Sequence, residues 1–395
     1  MDSNTPHIHW SIALIPFAVL VALQVLVIKE FGSDAIDGAS QTALLFAAAV
    51  AIAIAMIGYK VSWSRINGAI GENIKTIGPA VIILFLIGAV SGSWMMSGVV
   101  PTMIYYGMKI LTPSLFLFMA CIICALVSLI TGSSWTTVAT VGIALLGIGT
   151  AHGYSAGWTA GAIISGAYFG DKISPLSDTT VLASSVGEVP LFTHIRYMLI
   201  TTVPSFVITL IIFLVVSLMH PAESTAQAES FAEGLQNSFV INPWLMLIPL
   251  FTAVLIALKL PAAVILFLSA LVAGITMLFA QPDIVAQVGD GNSFRGLMVT
   301  YFDSTAIDTG NETLSNLVQT RGMKGMLSTV FLIFCASAFG GALTGGGMMR
   351  SLTAALARGI SGRRSIVTST VATGLFSNMA TGDQYLSIVL TGNIF

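Results

Sequence analysis

Eight apolar runs, at 12–28, 42–59, 77–94, 114–130, 197–219, 243–258, 262–280 and 326–349, are each near the length that crosses a bilayer. A spanning helix needs about 20 apolar residues. A chain with this many such runs is expected to be an all-α polytopic membrane protein. Composition agrees: 56% of residues are hydrophobic and 8% are charged, where soluble domains carry about 25% charged residues. A net charge of −2 gives no reason to expect a nucleic-acid partner. The expected partner is the lipid bilayer. The stretch 1–9 lacks a basic n-region, and no small-residue cleavage site clearly follows the first run, so that run is read as a retained signal-anchor helix. Trp10, Trp63, Trp158 and Trp244 lie near segment ends, as interfacial anchors do. The 3 cysteines, Cys121, Cys124 and Cys335, sit in apolar runs and are too few for a metal site, so they are read as core.

Between 131 and 195 the pattern changes. Apolar segments there are short and punctured by Thr-Gly-Ser-Ser at 131–134, His-Gly at 152–153, and Asp-Lys-Ile-Ser-Pro-Leu-Ser-Asp at 171–178. That punctuation suits broken helices and re-entrant hairpins, whose irregular backbone must be buried in protein or line a wet cavity. Basic residues set orientation. Lys60, Arg65 and Lys75 mark a cytoplasmic loop, and Arg350, Arg358, Arg363 and Arg364 a second cytoplasmic stretch. The acidic segments 29–41 and 221–242 fit the outside, as does the polar segment 281–324, expected to cover part of the mouth.

An internal repeat organises the chain. GAVSGSWMM at 88–96 returns as GALTGGGMM at 341–349, and LITGSSWTTV at 129–138 as MATGDQYLSIV at 379–389, in the same order and at nearly equal separation. The basic loop precedes the first copy and follows the second, which implies opposite topology. Inverted repeats with broken helices are a signature of secondary transporters. The expected division is a two-helix segment at 1–76, a first transport repeat at 77–219, connecting helices and external loops at 220–325, and a second repeat at 326–395. The second copy stops soon after its Thr-Gly-Asp-Gln, so about 50–70 further residues are expected if the copies are equal in length.

Three acids fall within this repeat: Asp171, Asp178 and Asp383. A carboxylate at membrane depth costs about 2.5–3.5 kcal/mol on insertion scales, so it reads as an ion or proton site. Around it lie Thr131, Ser133, Ser134, Thr136, Thr137, Ser174, Ser177, Thr179 and Thr180. Their neutral oxygens suit a hard cation such as Na+, although Gly, Ser and Thr also populate ordinary helix interfaces in membranes. Pro175 bars a smooth helix through the second stretch. Lys172 is read as pairing with one of the acids or snorkelling to an interface. Desolvation favours a neutral carboxyl and a bound cation favours the charged form. Competition between Na+ and H+ for one carboxylate is therefore a minimal antiport mechanism. His152 reads as a turn residue, His194 as a surface histidine, and the glycine run at 345–347 as close helix packing or a hinge. A membrane enzyme using Ser133 or Ser134 would need His152 or His194 within reach.

The segments at 130–149, 166–185 and 380–395, and above all GDKISPLSDTT at 170–180, resemble the NhaC family of Na+/H+ antiporters. The resemblance implies a multi-pass transporter, not an enzyme, in the inner membrane of a bacterium or archaeon. It implies Na+ and H+ as transported ions with no cofactor; the sequence leaves the oligomeric state open, with a homodimer as one option. It carries Asp171, Ser174, Asp178 and Thr179 onto a hairpin motif, and Thr131, Ser133, Ser134 and Asp383 onto two unwound-helix motifs. Asp171, Asp178 and Asp383 are the expected Na+ ligands. Some members exchange organic acids such as malate and lactate, or amino acids. Against that alternative, 131–178 contains no Arg to clamp a carboxylate bidentately.

Overall fold

The structure, a computed structural model, describes residues 8–219, 225–258, 260–357 and 362–381, with positions 384, 387, 388, 391 and 392. Nearly all described residues are helical, and the one isolated β-bridge among them joins Thr305 to Thr320. Among the described residues, eight helices are long and apolar enough to cross a membrane. Seven coincide with expected runs. The run at 243–258 instead forms part of a pair, Ser230–Ser238 and Pro243–Ala257, bent by 88°. The eighth spanning-length helix, Ser134–Ala151, has 18 residues and lies where shorter segments were expected. It absorbs its irregularity as a π-turn at Val138–Gly142 rather than by stopping. Ala156–Ile173, also 18 residues, follows it.

The chain divides into two compact units. The first comprises Met1–Val81, Ser185–Glu188 and Leu327–Phe395. Its core joins Ala47, Ala51, Ala55, Ile66, Phe339, Leu343 and Met348. Residues 63–76, expected as a cytoplasmic loop, form a helix, Trp63–Thr76. Ile66, Ile70 and Ile74 recur at helical spacing on its covered face, while Glu72 and Lys75 remain exposed. That face runs antiparallel along Leu327–Gly345: Ile66 meets Gly345, Ile70 meets Gly341, and Asn73 Nδ2 donates to the Ser337 carbonyl at 3.4 Å. A Cβ on Gly341 or Gly345 would fall on the Ile70 or Ile66 backbone. Small residues four apart allow such an approach. Close packing is thus the role of Gly345, and Gly347, at φ 83°, breaks the chain before Met348–Ala357.

The second unit comprises Ile82–Ser184 and Val189–Met326. Here Gly88 and Gly92, the counterparts of Gly341 and Gly345, receive the Gly322–Met323 backbone and the Thr300 carbonyl. The segment 281–324, expected as an external cover, is built from short helices at Pro282–Val288, Ser293–Phe302 and Glu312–Val318. Trp94, almost fully buried, donates its Nε1–H to Ser269 at 2.9 Å, and Ser269 pairs with Thr252 at 2.8 Å. Cys121, Cys124 and Cys335 are all buried free thiols in their respective units. Trp10, Trp63, Trp158 and Trp244 are exposed, as interfacial anchors would be.

Two tests follow from this packing. Gly341→Ala must displace the Ile70 backbone and is expected to destabilise by about 1–3 kcal/mol. Gly71→Ala, whose new Cβ would meet nothing within 4 Å, should be neutral or stabilising. Equal melting shifts for the two variants in detergent would contradict the packing. Elsewhere, Asp303 accepts from the Ser304 N–H at 2.8 Å and from Lys324 Nζ at 3.1 Å, which holds its carboxyl below the ordinary range. A depressed folded-state value stabilises at neutral pH, and that contribution disappears as pH falls through the acid range below about 4. Asp303→Asn should therefore lower the melting temperature slightly at pH 7, with the difference from wild type closing on acidification.

Candidate functional site

Two helix breaks in the second unit pack against each other. Phe116–Thr131 ends at Thr131, and Gly132 takes φ 65°, a left-handed conformation that glycine adopts without a Cβ penalty. Ser133 is extended and caps the next helix, its Oγ accepting from the Thr136 N–H at 3.2 Å. Thr131 Oγ1 lies 3.2 Å from the Ser133 carbonyl and accepts from the Ser133 N–H at 3.1 Å. Thr137 Oγ1 donates to the same carbonyl at 3.0 Å. The hydroxyls therefore satisfy backbone groups that the break has released, as Ser and Thr side chains do at caps.

The second break separates Ala156–Ile173 from Asp178–Val186. Ser174 Oγ reaches across to the Leu129 carbonyl at 2.8 Å and accepts from the Leu176 N–H at 3.2 Å. Leu176 then lies directly over Gly132, where any Cβ would collide with its backbone.

A glycine pair brings the two breaks to one level. Gly166 and Gly170 let Ala156–Ile173 approach Phe116–Thr131 until a Cβ would fall on the Cys121 or Ala125 carbonyl oxygen. Ser128 Oγ donates to the Ala167 carbonyl at 2.6 Å between them. Asp171, one residue past Gly170, is thereby carried to Ser134, whose Oγ donates to Asp171 Oδ2 at 3.1 Å. Asp171 is 5% exposed and Ser134 4%.

Beside it, Lys172 Nζ donates to Thr179 Oγ1 at 2.9 Å. Thr179 Oγ1 lies 3.0 Å from Ser177 Oγ, and Thr180 Oγ1 donates to the Lys172 carbonyl at 2.9 Å.

Of the expected site residues, Thr131, Ser133, Ser134, Asp171, Ser174 and Thr179 thus line these two breaks or bridge between them. Asp178 opens its helix, but its side chain is not among those described. Asp383 lies outside the described residues. In the first copy the helix ends at Thr131, where Gly132 turns left-handed; the residues after Thr381 that match Gly132 and Ser133 lie outside the described residues. Among the described residues no group of three His, Cys, Asp or Glu side chains is placed to hold a metal ion.

His152 Nε2 lies 2.9 Å from the Leu111 carbonyl, its ring edge-on to Phe116, at the turn where it was expected. His194 departs from the surface reading: it is half-buried and its Nε2 is enclosed with no hydrogen-bond partner among the described residues. Sequence reasoning missed Ser128 and the Leu129 and Ala167 carbonyls. The four-residue spacing of Gly166 and Gly170 is the signal from which they could have been found.

The pattern of the Na+/H+ antiporter family matches residues 166–395. The chain is 35% identical over 353 residues to the Na+/H+ antiporter NhaC of Bacillus subtilis, covering 89% of this chain and 76% of that protein. It is 36% identical over 340 residues to the malate-2H+/Na+-lactate antiporter of the same organism, covering 86% and 70%. To the arginine/ornithine antiporter ArcD of Halobacterium salinarum it is 34% identical over 390 residues, covering 97% and 77%. With more than half of its length inside the family pattern and 35% identity to NhaC of Bacillus subtilis over 89% of its residues, this chain belongs to the Na+/H+ antiporter family.

Proposed function

We propose that this protein is a secondary transporter of a prokaryotic inner membrane that exchanges Na+ for H+ by alternating access. The observation that carries this reading is the buried Asp171 carboxylate, bonded to the Ser134 hydroxyl where two helix breaks meet. An ionisable side chain in such a place is by default an ion or proton site. Na+ would take a carboxylate oxygen of Asp171 and the lone pairs of hydroxyls at the two breaks, drawn from Thr131, Ser133, Ser134, Ser174 and Thr179. A proton and a cation cannot both neutralise one carboxylate, so binding of either favours release of the other.

Asp178 and Asp383 complete the proposed ion set. The segments 77–219 and 326–395 are proposed as inverted repeats, with 1–76 and 220–325 as flanking and connecting parts. The shared Gly-x-x-x-Gly packing of Gly88 and Gly92 and of Gly341 and Gly345 supports that pairing.

A second reading has its own support. Two similar proteins bear names that specify malate and lactate, or arginine and ornithine. Under it Asp171 would couple H+ or Na+ to the movement of an organic ion.

Dissipation of a pH gradient in proteoliposomes of the full-length protein separates the two readings. Na+ alone should discharge the gradient under the first, and an organic ion should be required under the second. Asp171→Asn is expected to abolish Na+-dependent proton movement in a folded protein, and full exchange in that variant would end the carboxylate mechanism. Ser134→Ala should raise the Na+ concentration for half-maximal exchange about tenfold, because a hydrogen bond to a charged group contributes about 1.5–3 kcal/mol.

A further inference from the structure

Lys172 has no part in the exchange cycle just described, yet its position bears directly on it. It follows Asp171 in the last turn of Ala156–Ile173, at a buried site where a long cationic side chain would ordinarily snorkel outward. Here it is half-buried and turns across the helix break. Its ammonium donates to Thr179 Oγ1 at 2.9 Å, and that oxygen is in turn 3.0 Å from Ser177 Oγ. Ser177 is fully buried and Thr179 nearly so. The Thr180 hydroxyl donates to the lysine's own carbonyl at 2.9 Å, which ties the backbone at Lys172 to the far side of the break.

An ammonium is a compact monovalent point charge that seeks oxygen acceptors. A hard metal cation seeks the same neutral and anionic oxygens. Thr179 is among the residues proposed to serve Na+, and Lys172 already engages its hydroxyl.

We propose that Lys172 is a tethered competitor of the transported cation. Its ammonium holds the Thr179–Ser177 hydroxyls when the site is empty of Na+ and is displaced when Na+ enters. The lysine is in this sense an affinity-determining residue: it weakens Na+ binding by the fraction of time it holds the hydroxyls, which lets the ion leave on the far side of the membrane. A state that is only fractionally competent reduces apparent affinity by that same fraction. This inference rests on the Na+/H+ reading of the same site.

The test is the Na+ dependence of exchange in proteoliposomes of the full-length protein, for wild type and for Lys172→Met, Lys172→Gln and Lys172→Arg, with folding checked by melting temperature. Lys172→Met and Lys172→Gln are expected to lower the Na+ KM about threefold to tenfold, whereas Lys172→Arg, which keeps a cation on the hydroxyls, stays near wild type or higher. A merely structural lysine would lower kcat or melting temperature without lowering KM. An unchanged or raised KM in the neutral variants overturns the proposal, and Lys172→Gln decides the matter if Lys172→Met does not fold. Failure of the underlying reading is distinguishable, because wild type itself would then show no Na+-driven exchange.

Discussion

The approach of Ala156–Ile173 to Phe116–Thr131 through Gly166 and Gly170 is the contact on which the site depends. Neither position has room for a Cβ against the opposing carbonyls. Because the backbones meet there, Ser128 can bond the Ala167 carbonyl and Ser174 can bond that of Leu129. Asp171 follows one residue after the second glycine, so its depth and direction are set by the packing of the helix rather than by its own side chain. A larger residue at either glycine would separate the helices and draw the carboxylate away from Ser134.

The breaks themselves follow a common logic. Each interrupts a helix in a low-dielectric environment, where unpaired backbone groups are costly. Each is furnished with short hydroxyl side chains that bond backbone locally: Thr131, Ser133 and Thr137 at the first, Ser174 and Thr180 at the second. Local satisfaction of this kind lets an irregular segment persist beside a buried carboxylate. It also leaves oxygen lone pairs at the same place, and those are what a hard cation needs in exchange for its water.

The small-residue faces on the two matched helices solve one packing problem twice. Gly88 and Gly92 accept the segment that leads towards Leu327–Gly345, within the second unit. Gly341 and Gly345 accept the helix that precedes Gly78–Met96, within the first. Lipid supplies no hydrophobic drive for helix association, so close van der Waals contact at glycine must supply it. The Gly-x-x-x-Gly spacing is therefore a structural requirement of each unit.

Much of this was legible in the chain before any coordinates. Hydropathy is a local property, and the long apolar runs became helices because hydrocarbon leaves the backbone few alternatives. The breaks at Gly132 and around Pro175 were legible for the same reason, since a left-handed glycine and a missing N–H act on their own residue and its neighbours. What tertiary structure alone decided is who meets whom. Ser134 and Asp171 are 37 residues apart in the chain, and Lys172 turns towards Thr179 rather than outward. The residues 63–76 look like a charged loop until Gly341 and Gly345 give their isoleucine face a groove to enter. Those pairings depend on helix depth and rotation, which many distant side chains set together and no single stretch of sequence specifies.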